Sequence, residues 1–175
     1  MRRFVFFLMM FIASLPMATA QVNLSQARSS YLGMKVDKCN ALKLSRQFDN
    51  SQSSDALLRA YWGASLAAAP ECLSNPLEKI KYFRKGKNLL DESVKQSPNH
   101  IEIRFLRFAT QTKAPSFLGY DNNLQEDKNL ILKNIALFAS TPSNKEMSGY
   151  IASFMMDSGN LSPAEKTILK QILSK

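Results

Sequence analysis

Apolar residues recur every three or four positions along most of this chain. Leu77, Ile80, Phe83, Leu90 and Val94 make one such set, and Ile131, Ile135 and Phe138 make another. Met147, Tyr150, Ile151, Phe154 and Met155 repeat the spacing. A period near 3.6 places these side chains on one face of a helix. The pattern predicts helices over 76–96, 100–112, 124–139, 144–157 and 163–173. An Ala-rich stretch opened by Ser54 and Asp55 predicts a further helix to about Ala69, stopped by Pro70. Residues 24–48 hold one or two more. Nothing in the mature chain alternates apolar and polar residues as a half-buried strand does. The expected fold is therefore all-α, with about seven helices in antiparallel hairpins.

The helix starts share a chemistry. Asn75, Asn99, Asn123, Ser143 and Ser162 each stand three residues before a glutamate: Glu78, Glu102, Glu126, Glu146 and Glu165. A cap side chain takes an unpaired amide of the first turn, and the glutamate reaches back to the cap's own N–H. Pro76 and Pro163 fall where a missing N–H costs nothing. Gly159 follows a helix end, where a left-handed cap favours glycine. On this reading most carboxylates are committed to capping.

Gly86, Leu90, Ser93 and Pro98 resemble the second helix of a tetratricopeptide repeat, in which small residues let paired helices approach and a proline closes the unit. The segment at Trp62 and Gly63 stands where the first helix of that unit would be. The stretch from Pro70 to Asn75 lengthens the connection, and no second copy recurs at a period of 34. The resemblance therefore covers one degenerate unit, and it implies a tetratricopeptide-like or irregular helical bundle. The segment from Ile101 to Tyr120 is similar to uncharacterised exported bacterial proteins, which implies a fold and no chemistry.

The first twenty residues change the picture of where the protein works. Arg2 and Arg3 precede an apolar run from Phe4 to Leu15, and Ala18, Thr19 and Ala20 supply the small residues a signal peptidase reads. The run is too short to span a bilayer. The expectation is cleavage after Ala20 and a periplasmic or secreted protein, with residues 21–175 forming a single all-helical domain and no transmembrane segment. Removing Arg2 and Arg3 leaves 21 basic against 14 acidic residues, a formal charge of +7. Such a surface suits anionic lipids, cell-wall polymers or acidic partners. No nucleic-acid motif is present, so no nucleic-acid partner is expected.

Two cysteines, Cys39 and Cys72, remain in an oxidising compartment. A bridge between them would close a loop of 33 residues and stabilise the fold by roughly 3–4 kcal/mol. Both fall in stretches that read as apolar helix, so two buried thiols are the alternative. Without a Cys-x-x-Cys pair, redox catalysis is not expected.

The helix at 100–112 carries the sharpest candidate site. Ile101, Ile103, Phe105, Leu106, Phe108 and Ala109 spread round most of its circumference, while His100, Arg104, Arg107 and Gln111 share a narrow sector. A helix so apolar is enclosed by neighbours, and its arginines must meet water, an acidic residue or a ligand. One reading is an anion-binding groove lined by His100, Arg104 and Arg107. The other is a structural pairing with Asp or Glu on an adjacent helix. After this helix, Phe117, Leu118 and Tyr120 lie in a Pro- and Gly-bounded loop that either plugs the core or offers a recognition patch. Lys79, Lys81, Arg84, Lys85 and Lys87 read as a solvated face.

Catalysis finds no support. His100 is the single histidine and has no nucleophile motif beside it. No residues show metal-ligand spacing, and neither a catalytic site, a metal nor a cofactor is expected. The sequence thus suggests a non-enzymatic binding or adaptor protein, taking a peptide or acidic protein partner through Arg104, Arg107, Phe117 and Tyr120. The alternative is a periplasmic small-molecule or lipid carrier, whose Met- and Phe-rich helices, such as Phe154-Met155-Met156, enclose a cavity.

Overall fold

A computed structural model describes residues 22–49, 53–159 and 161–174. The proposed signal segment, 1–20, lies outside the described residues. Those described form eight α-helices and no strand: α1 (Leu24–Gly33), α2 (Asn40–Asp49), α3 (Ala56–Ala68), α4 (Pro76–Gln96), α5 (Ile101–Lys113), α6 (Leu124–Ala139), α7 (Lys145–Asp157) and α8 (Pro163–Leu173). Short 3₁₀ turns follow α3 and α5 and precede α7. The all-α expectation holds, and the helix bounds agree with the apolar periodicity within a residue or two at each end. None of the described helices is long and apolar enough to cross a membrane.

Three caps follow the expected chemistry. Asp55 accepts from the Leu58 N–H at 2.9 Å, and Asn75 accepts from Leu77 at 2.9 Å. Ser162 and Glu165 form a reciprocal pair. Asn23 and Gln26 form another at the start of α1. The other proposed pairs do not cap. His100, not Asn99, stands at the N-cap of α5, its Nδ1 accepting weakly from the Ile103 N–H at 3.5 Å. Asn123 precedes α6 without a side-chain cap bond, and Asn144, not Ser143, stands at the N-cap of α7, also without one. Glu102 and Glu126 are drawn instead into ion pairs, which repay a carboxylate more than an exposed amide does.

The pair α3–α4 is the most extensive helix contact in the molecule. Gly63 and Gly86 face each other at its crossing: a Cβ at residue 63 would stand 2.8 Å from the Gly86 carbonyl oxygen. The helix α5 then packs on α3, α4 and α6, and ten of its thirteen residues are buried. It is the enclosed helix its composition implied. One hydrophobic cluster runs from Val22 to Ile172.

Edge-to-face aromatic contacts link the layers. Tyr61 meets Tyr31 at 5.6 Å, Tyr31 meets Tyr150 at 6.0 Å, and Tyr150 meets Phe105 at 5.9 Å. Phe105 meets Phe154 at 5.5 Å, so α1, α3, α5 and α7 share one ring series. Perpendicular rings at such separations place a positive edge on a negative face. Cys39 and Cys72 are joined by a disulfide with Cα atoms 5.5 Å apart. Neither lies inside an α-helix as the sequence suggested: Cys39 immediately precedes α2, and Cys72 ends the 3₁₀ turn after α3.

Candidate functional site

The arginine stripe of α5 is occupied from within. Arg104 and Arg107 are each 6 % exposed, and both reach Asp127 on α6, which is fully buried. Arg104 donates to Asp127 Oδ1 at 2.8 Å, to Glu126 Oε1 at 2.7 Å and to the Pro98 carbonyl at 2.6 Å. Arg107 grips both Asp127 oxygens, at 2.8 and 2.7 Å. Burial opposes the charge of Arg107, but the bonds to Asp127 outweigh it and hold its pKa above the ordinary value. The hydrogen bond from Arg104 pulls the Glu126 carboxyl down. The structure therefore corrects the anion-groove reading of Arg104 and Arg107: their forks are filled by carboxylates of the same chain. His100 is held at the α5 cap, and Gln111 borders a separate small cavity beside Tyr120.

A second buried carboxylate sits at the start of the same helix. Glu102 has no exposed surface and accepts from Arg28 on α1 at 2.8 and 2.5 Å. The Tyr61 hydroxyl completes its coordination. Burial, then the charge of Glu102, pushes the Tyr61 phenol far up, so it stays protonated and donates. This set ties α1, α3 and α5 together, and Arg28 extends the tie to the Ser143 carbonyl at 3.1 Å.

The loop after α5 buries one of its rings and exposes another. Tyr120 is 5 % exposed, rests edge-on against Phe83 at 5.9 Å and donates to Asp91 at 2.9 Å. Phe117 is 81 % exposed. Tyr120 is a plug, and Phe117 stands at a lip. The two residues thus do not share a site.

What Phe117 borders is a groove of about 810 Å³, the larger of the two principal cavities. Its floor is made of small residues, Ala64, Ala67 and Ala68 of α3 and Ala109 of α5. Its walls are aromatic: Tyr31, Phe83, Tyr150 and Phe154. Thr110 and Ser153 also line it, and the Thr110 hydroxyl is already donated to the Leu106 carbonyl at 2.9 Å. Four lysines, Lys35, Lys38, Lys79 and Lys113, stand exposed on the rim with Glu71 and Asp157. Lys38 pairs with Glu71 at 3.1 Å, and Lys113 lies 5.6 Å from the Phe154 ring.

The sequence raised a cavity near Phe154, Met155 and Met156 as an alternative, and of these Phe154 lines the groove; its alanine face was not foreseen. The available signal was the spacing of Ala64, Ala67 and Ala68, which puts small side chains on one helix face. A small-residue face reads as close packing, as it does at Gly63, and here it leaves space. Among the described residues, no three His, Cys, Asp or Glu side chains gather as a metal site. Compared with protein-family models, curated proteins and solved structures, the chain matches none of them.

Proposed function

We propose that this chain is an exported, non-enzymatic binding protein whose working surface is the apolar groove framed by α1, α3, α4, α5 and α7. The observation that carries the reading is a single one. An open volume of about 810 Å³ with an alanine floor and aromatic walls lies within the size range of small-molecule sites. A folded protein gains nothing from leaving such apolar surface wet, and a ligand that covers it gains the burial.

Of the two occupants the sequence suggested, the geometry favours the small molecule or lipid. The peptide or acidic protein partner was to be gripped by Arg104 and Arg107, which Asp127 already holds. The basic rim keeps the preference for negative charge and transfers it to lysines. Export to the periplasm or beyond, resting on the signal-like leader, belongs to the same proposal.

The test uses a neutral, environment-sensitive dye such as Nile red. Its fluorescence should rise on addition of the protein and fall to background with Ala68→Leu, which fills the floor from a partly exposed position. The variant should keep the wild-type melting temperature. Dye binding that survives the filling would place the site elsewhere and overturn the reading.

A further inference from the structure

We propose that the ligand of the groove is a single-chain amphiphile with an anionic head, its tail on the alanine floor and its head at Lys35 and Lys79. The inference rests on the binding reading above and adds the ligand's chemistry.

Three observations lead there. First, the interior offers few polar groups. The Thr110 hydroxyl is bonded within its own helix, and the hydroxyls of Tyr31, Tyr150 and Ser153 are the other side-chain polar groups among the aromatic and alanine lining. A sugar or nucleotide placed there would lose its hydrogen bonds to water and find few in return, at a cost for each unpaired group. The buried part of the ligand is therefore hydrocarbon.

Second, the mouth is cationic in a selective way. Lys38 is neutralised by Glu71, and Lys113 leans over Phe154. Lys35 and Lys79 reach no acidic group within ion-pair distance among the described residues. Asp157 is the remaining acid among the lining residues, so the rim keeps a positive excess. Lys35 follows the end of α1 and Lys79 lies in the first turns of α4. A carboxylate or sulfate at the mouth would meet ammonium groups supplied by the turn after α1 and by α4. Lysine suits this role, because its flexible stem lies along apolar surface while the charge stays wet.

Third, the size accommodates such a chain. About 810 Å³ is the scale of one drug-sized molecule. One lip is Phe117, an exposed ring on a short 3₁₀ turn, placed to lie over the tail as it emerges.

The experiment is displacement of bound Nile red from the full mature protein by dodecanoate and by dodecanol, each below its micelle-forming concentration. Dodecanoate should compete more strongly, by about tenfold, the scale of two exposed charge contacts. In the double variant Lys35→Met, Lys79→Met, which keeps both stems, that advantage should vanish while dodecanol is unchanged. High salt should shrink it in the wild type. Equal competition by acid and alcohol would overturn the anionic head and leave the groove reading standing. If neither displaces dye that Ala68→Leu abolishes, the single-chain ligand is overturned. If the dye itself does not bind, the groove reading falls as well.

Discussion

Gly63 and Gly86 stand backbone to backbone where α3 crosses α4, so close that neither position has room for a methyl group. A Cβ at residue 86 would lie 2.6 Å from the Ala67 amide nitrogen, a main-chain atom that cannot turn aside. The crossing fixes how α3 presents the face that carries Ala64, Ala67 and Ala68 to the groove.

Gly86→Ala should therefore destabilise, although alanine is the better helix former by about 1 kcal/mol. Pushing the helices apart costs about 1–3 kcal/mol beyond that gain. Urea unfolding checks it: an unchanged or raised midpoint would mean that the helices do not approach as described.

The Arg104–Asp127–Arg107 set should behave as structure, not as a binding site. Asp127→Asn leaves two buried guanidinium groups short of their counter-charge and should cost about 3–5 kcal/mol. Arg104→Ala with Arg107→Ala should likewise lower the melting temperature. Replacing all three by apolar residues of similar volume should recover much of the loss, because desolvation offsets most of what the pairing gains. Calorimetric melting of the variants decides. A double Arg→Ala variant with unaltered stability would contradict the geometry.

Stability should fall on the acid side through three carboxylates whose pKa the fold depresses: Asp37, held down first by Lys43, and Glu126 and Glu165. Glu126 is lowered mainly by the Arg104 bond, and Glu165 mainly by the Ser162 backbone N–H, then by Lys128. A carboxyl depressed in the folded state contributes stability above its ordinary value, 4.5 for the two glutamates, and loses it as pH falls through the depressed value. Denaturant midpoints should be flat above that pH and decline below it. Glu126→Gln with Glu165→Gln should make the decline shallower, measured as the difference between midpoints at neutral and acid pH.

Reducing the Cys39–Cys72 bridge, or Cys39→Ser with Cys72→Ser, should cost about 3–4 kcal/mol in unfolding free energy, since the released loop spans 33 residues. Guanidinium unfolding with and without dithiothreitol gives the number directly. The bridge sits beside the Lys38–Glu71 pair, where it joins the α1–α2 connection to the turn after α3.

Phe117→Ser should leave stability within about 0.5 kcal/mol, because an exposed ring contributes little to the fold. Binding of an apolar dye should weaken severalfold. Tyr120→Phe should do the reverse, removing the bond to Asp91 and lowering the melting temperature while sparing dye binding. Matching effects from the two substitutions would erase the distinction between lip and plug.

The helices were legible because periodicity is a local property. The bounds of α4, α6 and α8 could be read from apolar spacing, Pro76 and Pro163. The enclosure of α5 followed from apolar residues round most of its circumference. Caps were legible only where nothing stronger competed. Glu165 caps, while Glu102 and Glu126 answer to Arg28 and Arg104, which lie 74 and 22 residues away in sequence. A spacing of three residues carries no information about such distant claimants.

By itself the sequence determined an all-helical chain and arginines that had to find a partner, and it left the two cysteines open between a bridge and two buried thiols. Tertiary structure decided which partner. It brought Asp127 under both arginines and closed that stripe to ligands. It also opened the groove, whose emptiness belongs to no single residue. A cavity is what five helices fail to fill once their crossings are fixed, and crossing distances such as that at Gly63 and Gly86 are set only when the chain has folded.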